Sequence, residues 1–251
     1  MWQSFLAALC FLSVFPVPQE WLKQQDNRIV QGNALLFYPL VGLLLGITLF
    51  AVSFFLSVFD SLLISALLIT IWVVMTGALH LDGLADTADA WLGGHGDRDR
   101  TMTILKDSHA GVAAIVAIVL ALILKILALN EIHANLFIAL LVTPVLARTA
   151  VMILLLTTDY VRPNGIGTKM VVAMPRNIAW GVIFTVGLLT AIVLQWNAIF
   201  ILISIGLAVF LYRVMLLRRL GGTTGDTAGA LIEIIEILIL LDFAAIEFIA
   251  K

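Results

Sequence analysis

The sequence predicts an all-α polytopic integral membrane protein with about seven transmembrane helices and a short N-terminal helix. Apolar residues make up 62% of the 251 residues and charged residues only 12%, against about half and about a quarter in an ordinary soluble domain. The mean hydropathy is +1.13. The apolar runs are continuous and ~20 residues long, as spanning helices require, whereas membrane strands alternate in polarity. A soluble enzyme, a disordered chain and a coiled coil are therefore excluded.

Seven apolar stretches have the length of a spanning helix, and an eighth is shorter. Residues 2–17 are few for a span and end in Pro16-Val17-Pro18, so we expect an interfacial or half-inserted helix there. No repeat or low-complexity segment divides the chain, which predicts a single membrane-embedded domain over residues 1–251. The expected spans are residues 34–59, 61–79, 110–129, 132–157, 178–196, 198–217 and 229–249.

Basic residues are concentrated in four long connections between the expected spans. Eleven of the fourteen Lys and Arg residues lie in residues 18–33, 80–109, 158–177 and 213–228. The short connections near residues 60, 130 and 196 contain none. By the positive-inside rule the long connections face the cytoplasm. Lys125 and Arg148, inside expected spans, and the terminal Lys251 are the exceptions.

Other bulk features exclude several classes of protein. The net charge of −2 gives no basic field for nucleic acid. The single cysteine, Cys10, excludes an internal disulfide. The first cation is Lys23, after the first apolar run, so we do not expect the N-terminus to be a secretory signal.

Three aspartates after the second expected span are the strongest chemical signal. On a helix continuing that span, Asp82, Asp86 and Asp89 fall within an arc of about 60°. Carboxylates so close repel one another, and a hydrated helix face, the alternative, usually mixes Lys with Glu. Because Mg²⁺ and Mn²⁺ prefer oxygen ligands, we interpret the three as metal ligands.

A second acidic segment begins the last expected span. Asp226 and Glu233 are seven residues apart and share a helix face. Ionisable residues inside a span are costly and suggest function, although hydration at the cytoplasmic end is the alternative for Glu233 and Glu236. We expect Asp226 to complete the metal shell, and His80, Asp89 or Glu233 to serve as the general base.

Basic side chains near both acidic segments suit a phosphate substrate, because the guanidinium fork matches phosphate oxygens. Arg148 lies inside a span, where an ion pair between helices is the equally weighted alternative. The candidate phosphate-binding residues are Arg98, Arg100, Lys106, Arg148, Arg162 and Lys169.

These motifs resemble the cobalamin synthase family of adenosylcobinamide-GDP ribazoletransferases, in order along nearly the whole chain. The family pattern leads us to expect Arg at position 109, where this chain has His109. The matching segments are residues 77–89, 106–108 and 225–230, with residues 37–42 and 162–167 in support.

The resemblance implies a Mg²⁺-dependent enzyme of the bacterial inner membrane. Its donor would be adenosylcobinamide-GDP, and its acceptor would be α-ribazole or α-ribazole 5′-phosphate. The products would be adenosylcobalamin, or its 5′-phosphate, and GMP. Membrane lipid is an expected partner, and homo-oligomerisation is left open.

Two other functions are alternatives to this assignment. A CDP-alcohol phosphotransferase should have Arg where Asp86 stands. A cation-coupled transporter should have its acids near the bilayer midplane.

Overall fold

The computed structural model describes residues 1–21, 27–107, 109–162 and 166–249, and within these ranges it contains α-helices and no strand. Two short 3₁₀ helices, Gln19–Trp21 and Leu35–Phe37, flank α2. Lys23, Ser108, Lys251 and residues 163–165 of the basic turn lie outside the described residues. The α-helices of the described ranges are α1 Trp2–Leu12, α2 Arg28–Ala34, α3 Tyr38–Leu56, α4 Ser61–Met75, α5 Leu79–Gly93, α6 Arg98–Ile104, α7 Val112–Asn130, α8 Leu136–Thr157, α9 Ile166–Ala173, α10 Arg176–Leu194, α11 Trp196–Leu220 and α12 Gly225–Ile249.

The all-α polytopic class is confirmed, and every predicted span contains a helix. Within the described residues, length and apolarity qualify five segments to cross a membrane, or six if α4 and α5 count as one broken span. The sequence predicted seven spans. The number of qualifying segments is smaller because α12, although 25 residues long, carries five acidic residues and does not qualify as apolar. The five segments are 28–56, 112–130, 136–157, 176–194 and 196–220.

The N-terminal helix is short, as predicted. α1 has 11 residues, well below the ~20 that a span needs. Leu6, Ala8 and Leu12 are buried where α1 packs against α2 and α3. α1 therefore covers the end of the bundle at which α2 and α3 begin.

α8 and α12 form the centre of the bundle. α12 packs against α5, α7, α8 and α11, and α8 packs closely against α3. Gly46 permits the close approach of α3 and α8, because a Cβ there would lie 2.5 Å from the Leu140 carbonyl oxygen. By contrast, α10 and α11 expose large apolar side chains such as Phe184 and Ile203, which suits helices that face lipid. The core is therefore built around α8 and α12, and α10 and α11 lie at its edge.

The chain breaks between α4 and α5, where the sequence predicted one continuous helix. Gly77 and Ala78 both adopt positive φ angles, of 62° and 56°, a conformation that interrupts a right-handed helix. α5 consequently turns by 88° from α4. It crosses the beginning of α12 at one end of the bundle instead of extending α4 along its axis, and it is not one of the five segments that qualify by themselves.

The long connections meet at the end of the bundle that α5 crosses. Arg98 Nε donates to the Leu220 carbonyl oxygen at 2.8 Å, and Arg213 Nε donates to the Thr157 carbonyl oxygen at 2.9 Å. At the other end, Glu247 of α12 accepts backbone hydrogen bonds from residues 133–135. The long connections thus share one end of the bundle, which agrees with the charge pattern. Which side of the membrane that shared end faces stays a prediction.

Candidate active site

α5 and α12 cross at two glycines. A Cβ on Gly83 would lie 2.6 Å from the Asp226 carbonyl oxygen, and a Cβ on Gly229 would lie 3.5 Å from the His80 Cα. Any larger residue at Gly83 would therefore force the helices apart. The close crossing places the acidic face of α5 beside the first turn of α12, so the two acidic segments of the sequence form one site.

Three carboxylates share this site. Asp82 is exposed, whereas Asp86 and Asp226 are half-buried. Burial, followed by the negative charges of Asp82, Asp226 and Asp89, raises the pKa of Asp86 to about 6. Like charges disfavour the ionised form in this way only when they lie close together. The acids of α5 and α12 therefore repel one another and would be stabilised by a cation.

Arg162 is the cation that the fold places beside these acids. Its Nη1 donates to Asp226 Oδ2 at 3.1 Å. A short backbone pairing holds the segment in position, since Val161 N donates to the Thr223 carbonyl oxygen at 2.9 Å and Thr223 N donates to that of Asp159 at 2.8 Å. The predicted basic turn and second acidic segment thus meet, and Arg162 retains guanidinium N–H groups for a substrate anion.

Asp89, predicted as a metal ligand or base, instead contacts the beginning of α7. Its Oδ1 accepts from Ala114 N at 2.9 Å, and its Oδ2 accepts from Gly111 N. These hydrogen bonds satisfy N–H groups that the first turn of a helix leaves free. Asp89 therefore links α5 to α7, and both of its carboxylate oxygens already accept a backbone hydrogen bond.

The donor set fits a hard divalent cation that shares its coordination with a substrate. Asp82, Asp86 and Asp226 supply only oxygen atoms, which Mg²⁺ prefers, and Arg162 is the cation paired with them. Within the described ranges, no group of three or more His, Cys, Asp and Glu side chains is arranged to hold a metal by itself. Mg²⁺ commonly uses one or two carboxylates plus substrate phosphates, without an all-protein cage.

A buried ion network lies between α5, α7, α8 and α12. Lys125 Nζ donates to Glu233 at 2.6 Å and to Glu236 at 2.5 Å, and Arg148 donates to the other oxygen of Glu236. Arg148 Nη2 also lies 3.5 Å from His80 Nδ1. Because Arg has only donors, His80 Nδ1 is the acceptor and its Nε2 carries the hydrogen. Two cations and two carboxylates compensate one another, as burial requires.

This network changes the interpretation of three predicted site residues. Arg148 is 0% exposed and occupies the ion pair between helices, the alternative to binding phosphate. Glu233 is buried and paired with Lys125, so it does not reach the acidic site in this arrangement. His80 is buried, and its Nε2 has no hydrogen-bond partner in the described part of the chain.

The other predicted phosphate-binding residues lie at the same end of the bundle with different contacts. Arg98 holds the carboxyl end of α11 through the Leu220 carbonyl. Arg100, Lys106 and Lys169 are exposed, and among the described residues they have no ion pair within 4.0 Å. These three side chains are available to an anion approaching from solvent.

Sequence reasoning missed two basic residues that support the site. Arg219 Nη2 donates to the Trp91 carbonyl oxygen at 2.9 Å, and its Nε donates to Thr101 Oγ1 at 3.0 Å, which fixes the end of α5 to α11. Arg176 donates to the Leu156 carbonyl oxygen. Arg219 lies in the last turn of α11 and Arg176 is the first residue of α10. Both donate to carbonyl groups of other helices, which their positions in the sequence do not indicate.

His109 stands where the family pattern leads us to expect Arg. Its Nδ1 lies 2.7 Å from Asp107 Oδ1 on the surface. The hydrogen bonds from the His109 side chain and backbone lower the pKa of Asp107. His109 therefore interacts with its own loop, and within the described residues none of its hydrogen bonds reaches an acid of α5.

A cavity of about 390 Å³ opens beside the acidic site. Asp82 and Asp226 line it, together with His80 and Tyr160, and most of its remaining wall is apolar. The site thus combines a charged, solvent-facing region with an apolar recess.

Known proteins match nearly all of the chain. Residues 4–245 match the family described as cobalamin-5-phosphate synthase. An adenosylcobinamide-GDP ribazoletransferase of Pseudomonas fluorescens (strain Pf0-1) is 44% identical over 94% of this chain and 97% of its own length. One of Pseudomonas putida (strain W619) is 46% identical over 96% and 98%, and one of Stutzerimonas stutzeri (strain A1501) is 45% identical over 95% and 96%. No solved structure matches.

Proposed function

The chain belongs to the cobalamin-5-phosphate synthase family, and on this premise we propose that it is an adenosylcobinamide-GDP ribazoletransferase. A hydroxyl of α-ribazole, or of its 5′-phosphate, attacks the phosphorus attached to the cobinamide arm. The hydroxyl oxygen forms a new P–O bond and releases its proton, the pyrophosphate bond breaks, and GMP leaves. The observation that carries the proposal is the crossing of α5 and α12, which joins Asp82 and Asp86 to Asp226 and Arg162.

The residues of this site have distinct roles in the proposed reaction. Arg162, held by Asp226, orients the pyrophosphate through its remaining N–H groups. One or two of the carboxylates of Asp82, Asp86 and Asp226, together with the substrate phosphates, would hold Mg²⁺, which would supply charge neutralisation at the phosphates. A fixed cation and fixed carboxylates need little reorganisation during transfer, which is how preorganised sites lower a barrier. Arg100, Lys106 and Lys169 attract the anionic donor from solvent.

We further propose that the site faces the cytoplasm from the bacterial inner membrane. The long connections that form it carry most of the chain's cations, and such connections remain cytoplasmic. A corrinoid nucleotide is large and charged, so it has to approach from water. Arg219 of the lipid-facing helix α11 holds the carboxyl end of α5 through the Trp91 carbonyl oxygen.

A reconstituted transfer assay tests this function. The purified full-length protein in proteoliposomes should release GMP from adenosylcobinamide-GDP only when α-ribazole and Mg²⁺ are both present. EDTA should stop the release and excess Mg²⁺ should restore it. Release of CMP from a CDP-alcohol without GMP from the corrinoid donor would overturn the assignment, as would cation flux across the vesicles with no transfer.

A further inference from the structure

The cavity beside the acidic site has a few polar groups in a mostly apolar wall. Its polar wall members include Asp82, Asp226, His80 and Tyr160. Its volume of about 390 Å³ falls within the range of about 300–1,000 Å³ that is usual for small-molecule sites. α1, α8, α9 and α12 contribute to the wall, whose apolar members include Phe11, Leu12, Leu35, Val151, Leu155 and Ile232.

The substrates of the proposed reaction differ in how they match this cavity. A corrin ring is too large to enter it. Guanine carries donors and acceptors around its edge, and apolar walls would leave these without partners, at a high desolvation cost. The base of α-ribazole, a dimethylated benzimidazole, is a flat, apolar, two-ring group with a single free ring nitrogen. Its chemistry suits the cavity.

His80 supplies a polar group suited to that single nitrogen. Its side chain lines the cavity, and its Nε2 has no hydrogen-bond partner among the described residues. Arg148 faces Nδ1, so Nε2 carries the hydrogen and is a donor. A free ring nitrogen is an acceptor, and pairing the two removes the cost of a buried donor without a partner.

We propose that this cavity binds the base of the acceptor nucleoside. The apolar rings lie against α1, α8 and α9, and His80 donates to the free ring nitrogen. The sugar hydroxyl is thereby directed towards Asp82 and Asp226, where transfer takes place. This inference rests on the proposed function and assigns the acceptor's place within the same site.

Cys10 provides a direct test, because it is the chain's one cysteine, lines the cavity and is partly exposed. The full-length protein in lipid nanodiscs is treated with N-ethylmaleimide, with and without saturating 5,6-dimethylbenzimidazole. We expect the base to slow alkylation at least about fivefold, with GMP giving no protection. Unchanged alkylation with the base, or equal protection by GMP, would overturn the proposal.

A variant that fills the cavity provides a kinetic test. Cys10→Trp should raise the KM for α-ribazole at least about tenfold, while the KM for adenosylcobinamide-GDP stays near the wild-type value. Cys10→Ala, which keeps the space, is the matched control. Val171→Trp fills the same cavity from α9 and replaces Cys10→Trp if that variant does not fold.

The kinetic outcomes separate this inference from the function on which it rests. If the wild-type protein releases no GMP, the proposed function fails. If the wild-type protein is active and both filling variants raise only the KM for the corrinoid donor, or change neither KM, the function stands and the cavity assignment fails.

Discussion

Neighbouring aspartates on one helix face have different partners in this protein. Asp86 lies among other carboxylates, and their charges act on it together with burial. Asp89, one turn further along α5, accepts backbone hydrogen bonds from Gly111 and Ala114. The first arrangement costs free energy unless a cation is present, whereas the second stabilises the fold. Substitution of each residue should therefore have opposite effects on stability.

Asp86→Asn should stabilise the protein in the absence of divalent cations. The pKa of Asp86 is raised to about 6 in the folded state, so the ionised form is disfavoured there relative to the unfolded chain. That destabilisation is absent below the unfolded pKa of about 4, grows as the pH rises from about 4 to about 6, and is complete above about 6. We expect a higher Tm for the variant at pH 7.5 and an unchanged Tm near pH 3.5, measured by thermal unfolding with EDTA. A lower Tm at pH 7.5 would refute this.

Asp89→Ala should destabilise the protein by about 1 kcal/mol, the typical contribution of a helix cap. The expected signature is a lower Tm with an unchanged Mg²⁺ concentration for half-maximal transfer. Asp99→Ala, at an exposed acid of the neighbouring α6, is the control. If instead the Tm is unchanged and the Mg²⁺ requirement rises steeply, Asp89 is a metal ligand, as the sequence predicted.

At the scale of elements, the α5–α12 crossing determines whether the site exists. Gly83→Ala would place a Cβ 2.6 Å from the Asp226 carbonyl oxygen, so the helices must separate. Displacement of reacting groups by about 1 Å can cost roughly 10²-fold in rate, and we expect a loss of that order with helical content retained. Gly187→Ala, on a helix with open space around it, should leave transfer unchanged. Wild-type turnover in Gly83→Ala would show that the crossing is not needed.

The buried network joins four helices, and its charges have to be removed in pairs. Lys125→Met leaves Glu233 without its partner, and breaking a buried pair costs about 3–5 kcal/mol. The double variant Lys125→Met/Glu233→Leu removes one charge of each sign and should recover most of the lost stability. Comparison of the Tm of the two variants with wild type measures this. A single variant as stable as wild type would mean that the network contributes nothing.

For the molecule as a whole, apolarity and the distribution of cations were enough to predict the class, the helices and the common end of the long connections. These features depend on local composition, which a sequence states directly. The expected seven spans exceed the observed number because α12 is both long and acidic. Its Glu233 and Glu236 are neutralised by Lys125 and Arg148 of other helices. The 88° turn after α4 was missed because Ala78 adopts a left-handed conformation that nothing in its identity indicates.

The candidate site was predicted only in part, because spacing along one helix is visible in the sequence and contacts between helices are not. Asp82 and Asp86 share a helix face by spacing alone, and the structure places Asp226 and Arg162, which were also predicted as site residues, beside them. The buried position of Arg148 and Glu233 could not be read from the sequence, because it depends on which helices become neighbours. Which side chain caps α7 depends on the same packing. Three-dimensional neighbours thus decide between chemical and structural roles that spacing leaves open.

The central claim is that carboxylates from two helices act together in one Mg²⁺-assisted transfer. Its most direct test is GMP release in proteoliposomes across a Mg²⁺ titration, for Asp82→Asn, Asp226→Asn and the control Asp99→Asn. We predict that Asp82→Asn and Asp226→Asn lose transfer or need far more Mg²⁺ while remaining inserted in the membrane, and that Asp99→Asn behaves as wild type. Wild-type turnover and Mg²⁺ dependence in both Asp82→Asn and Asp226→Asn would contradict the claim.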